Sequence, residues 1–260
     1  MILDPVNSVT SIEFYRKVAK QSLGRSLLYL CYLSAVCSIV WTIRLDPAIM
    51  ASYDWFAKAA PPLTFSDGKV SSDLKGPLIL QHPSIQQIAV AIDTTRTEAV
   101  TPQMMEDSHV ILYLTANSLY VSQQNGRIEV LDLARAPTPR PIRIDAEFYH
   151  FARPYLTRLL YPSTLVIFFC FFMVWNACAG LVYSLAAMAA NAIAGAGLAY
   201  ASLYSISVYA QTLACILQLI FLFMPGAGQA IPAFPLILFV LTSVYIWLAV
   251  KRNAPPAAAA

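Results

Sequence analysis

Apolar and polar positions divide this chain into a short polar leader, one apolar run, a polar middle and a long, almost unbroken apolar stretch. The first run, LGRSLLYLCYLSAVCSIVWTI at 23–43, has the length of one membrane-crossing helix, about 20 residues. Residues 159–190 are apolar throughout. As a helix they would extend about 48 Å, well beyond a hydrocarbon core of about 30 Å. Such a helix either tilts and projects, or bends along the interface at its far end, and Gly195 and Gly197 mark its break. A third run at about 203–224 and a fourth at 234–250, separated by the turn-forming PGAGQAIPAFP, complete four spans. Splitting 159–203 into two spans is the alternative and makes five.

The polar middle has shorter periods. LTFSDGKVSSD predicts a hairpin around Asp67-Gly68, because Asp-Gly tolerates the left-handed turn that joins two twisted strands. IQQIAVAIDTT is a strand with a polar tip. HVILYLTANSLYVSQQNGRIEVLDL alternates β-branched and aromatic residues with polar ones. It predicts a three-strand meander turning at Ala116-Asn117 and Asn125-Gly126. PAIMASYDWFAKAA predicts a helix and TPQMMEDS a single turn. The prolines of PTPRPIRIDAEFYHFARPYL predict an extended connector, and Asp145 then begins a helix running into the second span. In the leader, SIEFYRKVAKQS predicts one amphipathic, interfacial helix capped by Ser11, with Phe14, Tyr15 and Val18 on its apolar side.

The expected fold class is therefore a membrane all-α bundle of four transmembrane helices, with an extracytoplasmic α+β domain inserted between helices 1 and 2. The boundaries are a cytoplasmic leader at 1–22, helix 1 at 23–43, the domain at 44–157, a three-helix region at 158–250 and a disordered tail at 251–260.

Composition and charge strengthen the membrane reading. The chain is 58% hydrophobic and 12% charged, against about 25% charged in soluble domains. Residues 159–250 contain no Asp, Glu, Lys, Arg or His. Arg16, Lys17, Lys20 and Arg25 flank the first span, and Lys251 and Arg252 follow the last. By the positive-inside rule this predicts cytoplasmic N- and C-termini in a multi-pass membrane protein. Arg44, Arg153 and Arg158 pull the other way but are fewer. The first apolar run is too long for a cleaved signal and has no A-x-A site, so an uncleaved signal anchor is expected. The net charge of +3 is not gathered into a patch, which excludes nucleic acid as a partner. The expected partners are the lipid bilayer, through its phospholipid headgroups, and a membrane or envelope protein; a homo-oligomer is left open.

Candidate chemistry is sparse. Cys31, Cys37, Cys170, Cys178 and Cys215 all fall in apolar segments, where free cysteine acts as a small hydrophobe. His82 precedes a proline and reads as a surface turn residue, His109 opens a strand and His150 lies on the returning helix. No metal-site spacing, nucleophile–base set or phosphate-binding fingerprint occurs, so no metal, no cofactor and no enzyme activity are expected. Asp93, Thr94 and Thr95 end a strand as a tentative ligand- or cation-binding tip, although an Asx-type turn is the commoner use of such a triplet.

The most informative polar groups lie inside apolar runs. Asn176, Gly180, Ser184, Ala187 and Asn191 recur at spacings of four, four, three and four, forming one small-residue stripe. Tyr204, Ser207, Gln211 and Gln218 form a facing stripe on the next helix. Small residues let backbones approach and amides need partners in lipid, so the two stripes are expected to meet as a helix seam. Lining a polar path is the alternative, weakened by the lack of ionisable groups along it.

FYRKVAKQSLGRSLLYLCYL, IAVAIDTT, VILYLTANSLYV and SISVYAQTLACIL together resemble an uncharacterised bacterial family of polytopic membrane proteins, a domain of unknown function. Some of its members lie beside maltodextrin-utilisation genes. The last segment is also similar to the Yip-type membrane superfamily, where proline commonly follows the Tyr-Ala pair; here Thr212 and Leu213 stand instead. The resemblance implies architecture and no mechanism. The resulting expectation is a non-enzymatic partner-binding, sensing or scaffold protein of the bacterial cytoplasmic (inner) membrane; the alternative is a small transporter or channel component using the polar seam between helices 2 and 3.

Overall fold

The structure is a computed structural model that describes residues 3–83, 85, 88–96, 98–123, 126–135, 140–224 and 233–255. It is mostly helical, with four long apolar helices and a sheet-bearing region between the first and second. Two compact units result: Met1–Arg44 with Pro162–Ala260, and Leu45–Tyr161. The expected turn residue Asn125, the loop 225–232 with its Gly226-Ala227-Gly228, and the tail beyond Pro255 lie outside the described residues.

The unit Leu45–Tyr161 holds two sheets. β1 (Leu63–Ser66), β2 (Lys69–Ser72) and β8 (Ile142–Ile144) form one, ordered β2-β1-β8 and antiparallel throughout. The β1–β2 hairpin turns at Asp67 (φ +51°) and Gly68 (φ +74°), the double left-handed turn that Asp-Gly suits. The other sheet contains β3 (Leu78–Gln81), β4 (Ala89–Asp93), β5 (Leu112–Thr115), β6 (Ser118–Ser122) and β7 (Ile128–Asp132) in chain order. β5, β6 and β7 form the expected antiparallel meander. β4 and β5 are parallel, which requires a crossover. The helix α4 (Pro102–Asp107) lies in that crossover, capped by the Thr101 hydroxyl accepting from Met104 N–H at 3.4 Å.

Strand alternation makes two cores. Ala89, Ala91 and Tyr113 pack against Met105 of α4, whereas Leu80 and Ile92 join Leu63, Val70, Trp55 and Phe56. β4 is buried on both faces, which is why AVAID reads as a nearly continuous apolar run. His82 is buried, not a surface turn residue as expected. Its Nε2 lies 3.1 Å from the Ser52 hydroxyl and its ring packs edge-on against Trp55 at 4.8 Å.

Two long helices contribute to both units. α3 (Leu23–Ala59) is a single helix with Pro47 inside, where separate segments at 23–43 and beyond were expected. Hydropathy falls at Arg44 and Asp46, but a change of polarity does not break backbone hydrogen bonding, and the proline removes only one donor. α5 (Ala146–Ala194) is likewise unbroken, so no second span begins within it. Asp145 Oδ1 accepts from Glu147 N–H (3.1 Å) and Phe148 N–H (3.2 Å), capping α5 as expected. Within the sheet-bearing unit, Arg153 grips Asp54 with two parallel hydrogen bonds of 2.9 and 3.0 Å.

In the other unit α6 (Tyr200–Leu222) is the central helix. Every residue from 203 to 212 is buried, and 56% of its apolar window is covered against 11% for α5. α7 (Phe234–Asn253) packs beside it. The leader forms two short helices, α1 (Asp4–Thr10) and α2 (Phe14–Val18), rather than one interfacial helix. Ser11 is extended and ends α1 instead of capping α2. Tyr15 and Val18 are fully buried, because α6 and α7 cover the apolar side left to lipid in the expectation. Tyr15 stacks edge-on against Tyr245, and the Tyr245 hydroxyl donates to Val9 O at 2.6 Å.

Candidate functional site

The α5–α6 turn sets how the two candidate stripes face. Gly195 (φ +60°) takes the left-handed position after α5, and Ala196 N–H reaches back to Asn191 O at 3.3 Å, closing a Schellman-type end. Asn191 then clamps the far side of the turn: its Nδ2 donates to Leu198 O (3.2 Å) and its Oδ1 accepts from Leu198 N–H (3.0 Å). About two turns up α5, the Ser184 hydroxyl lies 3.1 Å from that of Tyr200.

The centre of the seam is a direct reach from one helix into the backbone of the other. Oriented by its partners, the Gln211 amide donates from Nε2 to Asn176 O and accepts at Oε1 from Gly180 N–H, both at 3.1 Å. Gly180 makes this approach possible. A Cβ there would lie 3.1 Å from the Gln211 amide and 3.1 Å from the Tyr204 ring. Asn176 is 4% exposed and turns its side chain to a third helix, donating to the Ser34 hydroxyl at 3.2 Å. The Cys215 thiol approaches its Oδ1 at 3.9 Å. Ser207 is fully buried and donates back to Leu203 O within its own helix at 2.9 Å.

Gln218 does not join this seam. It is exposed and lies on the wall of an aromatic recess with Trp41, Phe172 and Phe221. It lies seven residues beyond Gln211, nearly two turns, so the helices must stay in register that far for it to meet α5. Asn176, the counterpart of Gln211, is already met.

The sequence reading missed the contribution of α3. Ser26, Ser34, Ser38 and Thr42 are buried at spacings that are multiples of four. Ser26 donates to the Ser205 hydroxyl at 2.8 Å, and the Tyr29 hydroxyl lies 2.7 Å from that of Thr212. Tyr29 also stacks flat on Tyr209, with centroids 3.9 Å apart. The signal was present as hydroxyls four apart in SLLYLCYLSAVCSIVWT, hidden by the high hydropathy around them.

In the sheet-bearing unit, Asp93 is 6% exposed, and Thr95 gives its Oδ1 both a backbone N–H (3.2 Å) and a hydroxyl (2.8 Å). Tyr113 donates to Oδ2 at 3.3 Å. Thr94 turns away to the Ser72 hydroxyl at 2.8 Å. This is the geometry of an Asx-type turn, with the carboxylate engaged by its own chain. Burial first, and then the Asp93 carboxylate, push the Tyr113 hydroxyl above its ordinary pKa. No group of three His, Cys, Asp or Glu side chains that could hold a metal ion, with or without His82, His109 and His150, occurs among the described residues.

Four helices long and apolar enough to cross a bilayer point to a multi-pass membrane protein. The chain belongs to the family described as "Protein of unknown function (DUF1189)", which matches residues 6–250 and so takes in both units. No curated protein and no solved structure matches it. The family match carries neither the Yip-type likeness nor the maltodextrin association.

Proposed function

We propose that this is a non-enzymatic protein of the bacterial inner membrane. Its helices anchor and scaffold, and its sheet-bearing unit binds or senses a partner outside the cytoplasm. The orientation rests on Arg16, Lys17, Lys20, Arg25, Lys251 and Arg252 at the ends of the first and last spans. The observation that carries the scaffold reading is the Gln211–Asn176–Gly180 interlock, in which seam amides are consumed by helix packing. Asp93 serves its own turn, and that supports an interaction unit rather than a reaction centre.

A small transporter or channel component is the second reading. The buried hydroxyl stripe of α3 favours it, since Thr42 Oγ1 has no hydrogen-bond partner among the described residues. The two readings separate on two variants. Under the scaffold reading Gly180→Leu lowers the thermal midpoint in detergent by the equivalent of about 2 kcal/mol, the cost of overpacking. Gln211→Leu costs about 1 kcal/mol, one net hydrogen bond, and leaves growth and any measured flux unchanged. A stably folded Gln211→Leu protein that loses a transport-linked phenotype would overturn the scaffold reading.

A further inference from the structure

Gln218 is the one seam candidate left without a role, and its surroundings are unlike those of Gln211. It sits on α6 four residues before the helix ends, on a recess of about 720 Å³. The remaining walls are apolar and largely aromatic, with Trp41 from α3, Phe168, Phe172 and Trp175 from α5, and Phe221 beside it. Trp41 lies 5.9 Å from Phe168 and 6.2 Å from Phe172, while Phe171 and Trp175 stack within 15° of parallel. The volume falls within the range of small-molecule sites, about 300–1,000 Å³. All of these residues lie in candidate membrane spans.

The Gln218 amide makes no hydrogen bond with any described residue, although it has two donors and an acceptor to satisfy. In hydrocarbon an unmade amide hydrogen bond is costly. An occupant of the recess therefore needs an oxygen that can meet the amide. An acyl chain would gain from these walls only the dispersion that any apolar wall supplies. A flat ring would gain offset-stacked or edge-on contacts as well.

We propose that this recess binds a ring-headed membrane lipid with a hydrogen-bonding oxygen on the ring, the chemistry of a quinone or quinol. The ring sits among Trp41, Phe168, Phe172 and Trp175, and Gln218 donates to its oxygen. The site is independent of the seam: Gln211 and Gly180 can hold the helices whether or not the recess is filled.

The test uses the full chain in mild detergent carrying Trp55→Phe and Trp247→Phe, so that Trp41 and Trp175 report from the recess itself. Decylubiquinone is the probe, and quenching of tryptophan fluorescence is the readout. Saturable quenching is expected, weakened about tenfold by Gln218→Leu, the effect of one lost hydrogen bond. The thermal midpoint of Gln218→Leu should match that of its parent because the side chain is exposed; Gln218→Met provides the same affinity comparison if it does not. Phosphatidylcholine with ordinary acyl chains, which do not quench tryptophan, should fail to restore the fluorescence at the same mole fraction. Quenching that rises linearly without saturation overturns the proposal. So does saturable quenching of equal strength after Gln218→Leu and Gln218→Met, or fluorescence restored by the phospholipid.

Discussion

Both units bury apolar cores, but they differ in what lies beside them and in what they leave outside. In Leu45–Tyr161 the interior is Ala91, Ile92, Met105 and Tyr113, and charged side chains such as Glu129 and Asp132 stay exposed. In the helical unit Ser26, Ser34, Asn176, Ser205 and Gln211 lie inside, while Val166, Ile167, Val174, Leu185 and Ile193 are more than half exposed. Soluble proteins rarely leave contiguous apolar surface on this scale. The difference follows from the solvent each unit is suited to. In water, burying apolar area drives packing. Between apolar helices in lipid that drive is absent, and close backbone approach and hydrogen bonds select the partner face. Each interhelical polar contact is worth only about 0.6 kcal/mol on average. Gln211, Asn176, Ser184 and Ser26 therefore set register together rather than singly.

The sharpest way to break this comparison is to place the same charge on both surfaces. Val174 and Val130 are both exposed, at 66% and 54%. Val174→Lys should reduce membrane insertion by about 3 kcal/mol, the penalty for a lysine at the centre of a span. Val130→Lys should change stability by less than about 0.5 kcal/mol, as for an ordinary surface site in water. A glycosylation-based insertion assay and a urea melt read the two, and equal tolerance would mean that both surfaces face water.

A second test asks whether the sheet-bearing unit is held by its own apolar core. A fragment of residues 45–161 should fold in water, with a mixed α/β circular dichroism spectrum unchanged by reductant. Met105→Ala should then cost it about 2.5 kcal/mol in urea, since Met105 is 1% exposed. A random-coil spectrum from a monodisperse sample would show that this core is insufficient.

The smallest effect concerns pH. Tyr113 has a hydroxyl pKa raised above its ordinary value of 10.0, so the folded fragment holds that proton more tightly than the unfolded chain. Its contribution is complete below pH 10 and is lost as pH rises through the folded-state value. Tyr113→Phe should flatten part of that alkaline slope; an unchanged slope would remove Tyr113 from the account.

Much of the architecture was legible because hydropathy and turn chemistry act locally. The Asp67-Gly68 hairpin, the β5–β6–β7 meander, the Asp145 cap and four apolar helices all follow from short windows. The failures share a cause as well. Ser11 was read as a cap because Ser suits one, but it ends α1, and α2 begins only at Phe14 with Glu13 in the cap position. His82 was placed at the surface on its neighbour proline, yet Trp55 and Ser52, some thirty positions away, enclose it.

By itself the sequence determined which segments prefer lipid and which prefer water, where strands turn, and that Asn176, Gly180 and Gln211 need close partners. These are properties of a residue and its near neighbours, fixed by transfer free energy and backbone sterics. Only the tertiary structure decided how α3, α5 and α6 rotate about their own axes. That rotation brings Ser34 to Asn176 and Ser26 to Ser205 across more than 140 residues of chain. It also sends Gln211 into the seam and leaves Gln218 on the aromatic recess, although the two lie on one helix. Helical period restricts a side chain to a stripe, but which helix covers that stripe depends on contacts between distant segments.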